Sequence, residues 1–209
     1  MNESSPRPTA QDDAWVARLI AWADEFQIPE KDLPRERDAL LALQALDLRR
    51  VASWFWLLLK NDEQPNHNDS PPPQITWLPP EIGQLQQLLE LRLSDNRLST
   101  LPPEIGQLRQ LQELEIGGNQ LSALPPEIGQ LQQLLWCKLQ RNQLTTLPPQ
   151  IGQLQRLRHL ELWDNQLTAL PEEITHLQRL EYLDIERNPG LQLTPAQEKF
   201  LKGIKEVER

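Results

Sequence analysis

The run Leu78-Pro79-Pro80-Glu81-Ile82-Gly83-Gln84-Leu85 decides the fold, because it returns almost letter for letter at Leu101 and Leu124 and in looser form at Leu147 and Leu170. The copies stand 23 residues apart. A fixed period of that length marks a stack of small units, in which each copy lends its neighbour the apolar face that neither can bury alone.

Working outward, each period also contains L-x-x-L-x-L-x-x-N-x-L, written first as Leu88, Leu91, Leu93, Asn96 and Leu98 and next as Leu111, Leu114, Ile116, Asn119 and Leu121. Further copies run through Asn142, Asn165 and Asn188. Apolar and polar residues alternate here with the period of a strand, so Leu91 and Leu93 point one way and Glu90, Arg92 and Ser94 the other. One strand per repeat is predicted. The Pro-Pro pairs cannot continue a strand ladder and favour extended or short helical turns, which places them on the outer side of the stack. Each Asn sits where the chain leaves its strand, and its side-chain amide can satisfy the backbone groups which that turn exposes.

These residues resemble the leucine-rich repeat family, in the 23-residue form with L-P-x-x-I-x-x-L that occurs in intracellular plant proteins and in bacteria. The resemblance covers roughly Leu78 to Leu193. It implies an α/β solenoid bent into a right-handed horseshoe arc. Parallel β-strands would line the concave face, irregular or 3-10 turns the convex side, and helical caps would close the two ends.

The flanks fit such caps. Trp15, Leu19, Trp22 and Phe26 fall on one stripe of an amphipathic helix over Asp13 to Phe26, with Asp12 or Asp13 as its cap. A second helix is predicted near Pro34, and Leu43, Leu46 and Leu48 then match the first half of another, degenerate repeat. From Leu93 to Leu98 is five residues, whereas from Leu48 to the next matching position, Ile75, is 27. An insertion therefore interrupts this copy. It opens with Trp54, Phe55, Trp56 and Leu57 to Leu59, too short an apolar run to span a bilayer. Two readings are open: these residues seal the end of the solenoid, or they form an exposed apolar patch. At the other end, Thr194 opens a short helix carrying Phe200, Leu201 and Ile204. The expected organisation is a disordered tail at 1–13, a helical cap over 14–50 running into the degenerate first repeat, an insertion at 51–74, five full copies over 75–190 and a C-terminal helical cap at 191–209.

At 209 residues, with 38% hydrophobic and 24% charged residues, the chain has the size of one solenoid with its caps. A net charge of −9 argues against nucleic acid as partner, since binding by counterion release needs clustered Lys and Arg. The opening MNESSPRPTAQDD lacks the features of a cleaved signal peptide, and no apolar run of transmembrane length occurs. A cytoplasmic monomer without a transmembrane segment is expected. The alternative is a secreted bacterial effector, with which a polar Ser/Pro opening is compatible.

No catalytic or metal motif can be assembled from His67, His159 and His176, from the repeat glycines, or from acidic pairs such as Glu172 and Glu173. Cys137 stands where other copies have leucine and reads as a small buried thiol. A cofactor is not expected.

What varies from copy to copy is the outward side of the strands. Reading across the stack gives one row of Glu90, Glu113, Trp136, His159 and Tyr182, and a second of Arg92, Glu115, Lys138, Glu161 and Asp184. A third holds Ser94, Gly117, Gln140, Trp163 and Glu186, and a fourth Asp95, Gly118, Arg141, Asp164 and Arg187. The C-terminal half gathers the aromatic residues. Exposed Trp and Tyr beside Arg is the composition of a binding hot spot; the competing reading is that Trp136 and Trp163 merely cover each other. The expected function is a non-enzymatic interaction module for a protein or peptide, contacted by Trp136, His159, Tyr182, Trp163, Lys138, Glu161, Arg141 and Asp184. The alternative is the substrate-recognition part of a ubiquitin-ligase type bacterial effector, whose catalytic domain has no counterpart in this sequence.

Overall fold

The computed structural model describes residues 13–49 and 73–209, and within them the period becomes one parallel sheet. Its strands are β1 Ala45–Asp47, β2 Glu90–Arg92, β3 Glu113–Glu115, β4 Trp136–Lys138, β5 His159–Glu161, β6 Tyr182–Asp184 and β7 Glu206–Glu208, paired in chain order. Register follows the repeat, with Glu90 opposite Glu113, Glu113 opposite Trp136, Trp136 opposite His159 and His159 opposite Tyr182. Equivalent positions therefore form rows across the sheet. The middle residue of each strand from Leu46 through Leu91, Leu114, Cys137 and Leu160 to Leu183 faces the core and is buried. Cys137 sits in that leucine row, where burial, with a smaller contribution from Glu161, pushes its thiol pKa up to about 12.

The chain returns along the convex side through five 3-10 turns, Pro80–Gln84, Pro103–Gln107, Pro126–Gln130, Pro149–Gln153 and Glu172–His176. The first proline of each pair is extended, as at Pro125 with φ −67° and ψ 145°, and the second opens the turn, where its missing N–H leaves no bond unmade. The turns pack so closely that a Cβ added to Gly129 would stand 2.6 Å from the carbonyl oxygen of Gln150 in the next turn. Close approach, rather than a left-handed backbone, explains that glycine. In the last turn Thr175 takes the equivalent place, because what stacks beyond it is a cap helix instead of another turn.

The asparagines bind successive repeats together. Asn119 donates from Nδ2 to the carbonyls of Ile116 (3.0 Å) and Leu93 (3.1 Å), and its Oδ1 accepts from the Leu98 amide at 2.9 Å. Asn142, Asn165 and Asn188 repeat the pattern. Asn96 makes it across the interruption, donating to Leu48 at 2.9 Å and accepting from Ile75 at 3.0 Å. Leu48 and Ile75 thus hold the places that Leu93 and Leu98 hold one repeat later. The run Trp54, Phe55, Trp56 to Leu59, together with His67 and residues 1–12, lies outside the described residues.

At the N-terminal end, α1 (Ala14–Glu25) buries Val16, Leu19, Trp22 and Ala23, so Val16 joins the predicted stripe and Trp15 lies at its edge. Asp13 precedes the helix without capping a backbone amide; its carboxylate instead meets Arg37 at 2.8 Å. Trp22 donates its indole N–H to the carbonyl of Trp77 at 3.0 Å, and Phe26 lies edge-on to the Trp77 ring. A short α2 (Arg37–Leu41) leads into β1. At the other end, α3 (Pro195–Leu201) begins with a capping box between Thr194 and Gln197, and buried Gln197 donates to the Leu170 carbonyl at 2.8 Å. The C-terminal cap also contains β7, an element absent from the sequence expectation: Val207 pairs with Leu183, and Glu206 and Glu208 extend the outer rows.

Candidate partner-binding surface

Because the strands are parallel and in register, every outward side chain lies about 5 Å from its equivalent on the next strand and about 7 Å from the next outward residue on its own strand. The concave face is consequently a grid. Its two halves differ in how the grid is filled.

Over β1 to β4 the charges satisfy one another. Arg92 meets Glu90 and Glu113 at 2.8 Å each, Lys138 pairs with Glu115, and Arg49 meets Asp47 at 2.6 Å and Glu115 at 3.5 Å. Burial works against ionisation of Glu115, but the hydrogen bond from Lys138 and the neighbouring cations outweigh it and hold its pKa below the ordinary 4.5. Lys138, expected as a contact residue, is turned toward this network.

Over β4 to β7 the grid holds rings and unpaired carboxylates. Trp136 stacks on His159 with centroids 6.1 Å apart, and His159 stacks on Tyr182 at 5.9 Å, both at an interplanar angle of 30°. Trp136 remains 37% exposed. Trp163 is not part of this stack: it lies beneath the guanidinium of Arg187, 5.8 Å from its ring centroid. The two tryptophans thus have different neighbours and do not cover each other. Beside the rings, Glu161, Asp184, Glu186, Glu206 and Glu208 form no ion pair among the described residues. Burial raises the pKa of Glu161 above its ordinary value; Lys138 opposes this, and Asp184 and Glu115 add to it. Asp184 is largely buried and accepts from the Glu186 amide at 3.0 Å and the Tyr182 hydroxyl at 3.4 Å. Burial and the nearby carboxylates of Asp184, Glu161 and Glu208 push the Tyr182 hydroxyl up to about 12.

Strands β2 to β6 leave the grid through residues in the left-handed region, at Asp95 (φ 60°), Gly118 (66°), Arg141 (55°), Asp164 (55°) and Arg187 (53°). Arg141 is exposed on this rim and comes within 3.9 Å of Asp95, reaching past Gly118. The left-handed row and the final Glu206 and Glu208 were not foreseen. Only the Gly at 118 hinted at the first.

Among the described residues no group of three or more His, Cys, Asp or Glu side chains could hold a metal ion, and no helix is long and apolar enough to cross a membrane.

Residues 79–157 match the family model described as a leucine-rich repeat region, and residues 130–189 match that of the leucine rich repeat, so that together they run through the five full repeats. The chain is a leucine-rich repeat protein. Its fold is similar to that of a leucine-rich repeat protein of Leptospira interrogans, with 34% identity and a TM-score of 0.62 over 98% of this chain and 58% of that one. It is also similar to the leucine-rich repeat ectodomain of the Arabidopsis thaliana membrane receptor kinase GASSHO1/SCHENGEN3, with 34% identity and a TM-score of 0.56 over 63% of this chain and 16% of that one. A TDR receptor shares 31% identity at a TM-score of 0.57, over 64% of this chain and 24% of that one. The leucine-rich repeat protein therefore spans little more than half the length of the Leptospira relative and less of the plant receptor kinase ectodomain. No match was found among curated proteins. Leucine-rich repeat domains generally serve as protein-interaction modules and are typically non-catalytic.

Proposed function

We propose that this leucine-rich repeat protein binds a protein or peptide partner on the concave face of β4 to β7. Trp136, His159, Tyr182 and Trp163 are the anchors, and Glu161, Asp184 and Arg141 lie around them. The observation that carries this reading is the stack of Trp136, His159 and Tyr182 on the open side of a rigid sheet. Three rings held in place by packing lose little freedom on binding, and aromatic anchors of this kind dominate interface energetics. The corresponding positions on β2 and β3 carry Glu90 and Glu113, both tied to Arg92. A similar domain, the Arabidopsis ectodomain, forms a complex with CASPARIAN STRIP INTEGRITY FACTOR 2. Affinity capture from native cytosol tests the proposal, using the wild-type protein beside a Trp136→Ala, Trp163→Ala double variant. A partner retained by the wild type and lost by the double variant is expected; equal retention by both removes the concave aromatic site.

A further inference from the structure

The partner class can be narrowed by asking which charges on the concave face are already answered. Over β1 to β4, Arg49, Arg92 and Lys138 are each engaged by a carboxylate, so that half offers an incoming chain little unmet charge. Over β5 to β7 the balance is different. Glu161 is half-buried, Glu186, Glu206 and Glu208 are exposed, and none has a cationic partner among the described residues. These carboxylates border the rings: Glu206 continues the row of Trp136, His159 and Tyr182, while Glu208 and Glu161 lie in the adjacent row.

We infer that the occupant of this face is a cationic segment of a protein or peptide, whose Arg or Lys side chains lie over the rings of Trp136, Tyr182 and Trp163 and end on Glu161, Glu206 and Glu208. The inference rests on the proposed concave site and specifies its ligand. Tyr182 and Glu206 stand about 5 Å apart across the sheet, and Glu161 and Trp163 about 7 Å apart along one strand. An arginine packed over an aromatic face, with its guanidinium within about 6 Å of the centroid, spans either gap and reaches the acid. The molecule shows half of this contact internally, in Arg187 over Trp163 at 5.8 Å. The net charge of −9 adds long-range attraction for such a partner. An acidic segment would meet four further carboxylates with no cation to offset them, and an uncharged one would leave them unpaired.

A random dodecapeptide library displayed on phage tests this. Selection is run on the wild-type protein, and each binder is then measured against Trp163→Ala, against a concave set (Glu161→Gln, Glu206→Gln, Glu208→Gln) and against a convex set (Glu104→Gln, Glu127→Gln, Glu172→Gln) that removes the same charge. Far-ultraviolet circular dichroism of each variant confirms its fold. The expected result is binders rich in Arg and Lys, weakened about tenfold or more by Trp163→Ala and by the concave set, and changed less than about threefold by the convex set. Binders that depend on Trp163 but are neutral or acidic overturn the cationic inference and leave the concave site standing. Cationic binders weakened equally by both charge sets show nonspecific attraction to an acidic protein, and they too overturn it. A library that yields no binder sensitive to Trp163→Ala overturns the inference and the site together.

Discussion

The side-chain amide of Asn142 donates to the carbonyl of Ile116 in the preceding repeat at 3.0 Å, while its own Oδ1 accepts from the Leu121 amide at 3.0 Å. Its amide also donates to the Leu139 carbonyl of its own repeat at 3.0 Å, so one buried side chain serves backbone groups of two repeats. Asn142→Ala leaves those groups unpaired and is expected to cost on the order of 1–3 kcal/mol. Urea unfolding measures it. An unchanged midpoint would show that the ladder contributes nothing.

The convex stack gives a second expectation. In Gly129→Ala the new Cβ would meet the Gln150 carbonyl at 2.6 Å, so the turns must separate. A loss of about 1–3 kcal/mol is expected from such overpacking. Thr175→Ala, at the equivalent place beside α3, should cost less than about 1 kcal/mol. Thermal unfolding of the two variants side by side checks this, and equal losses would contradict the close-approach explanation.

At the N-terminal cap, Trp22 is 2% exposed and bridges α1 to the backbone of Trp77. Trp22→Ala is expected to cost about 3–5 kcal/mol locally. Because each repeat contacts only its neighbours, the loss should be graded along the solenoid. Hydrogen exchange should show the amides of Leu91 and Leu93 losing more protection than those of Leu183 and Ile185. Uniform loss would mean that the solenoid melts as one unit and that the cap has no local role.

The repeat, its strands and the rows across them were legible in the sequence because side-chain periodicity and the fixed 23-residue offset determine both facing and register. The register also contained the Trp136, His159 and Tyr182 row. What was not legible depends on reach and on short segments. That Lys138 turns to Glu115, and that Trp163 lies under Arg187 apart from the ring stack, follow from rotamers of long side chains that a row diagram does not specify. Strand β7 was missed because Val207 is not followed by the second apolar residue and the asparagine that complete the signature in β2 to β6. Asp13 was a plausible cap by type, but Arg37, distant in sequence, competes for its carboxylate.

Glu161 links stability to the proposed function. Its folded pKa lies above the ordinary 4.5 because of burial, against the opposing pull of Lys138, so the folded state holds this proton more tightly than the unfolded chain does. Stability therefore falls as pH rises from about 4.5 through the raised value. Glu161→Gln should raise the urea midpoint at pH 7, and that gain should vanish below about pH 4.5, where the carboxyl is protonated in both states. Glu115 has the opposite sign: its lowered folded pKa stabilises the protein above 4.5, so Glu115→Gln should lower the midpoint at pH 7. Matched losses in both variants would contradict this reading of the two carboxylates.

The most direct test of the central claim is the dissociation constant of a captured partner for three variants, Trp163→Ala on the aromatic half of the concave face, Glu90→Ala on its ion-paired half and Gln107→Ala on the convex side. Truncation of an aromatic anchor removes roughly 2 kcal/mol or more, about a thirtyfold weakening. Trp163→Ala should show that loss, Glu90→Ala a change of a few-fold carried mainly by the association rate, and Gln107→Ala none. Equal affinity of all three for the partner, or a loss confined to Gln107→Ala, would contradict the assignment of the binding surface.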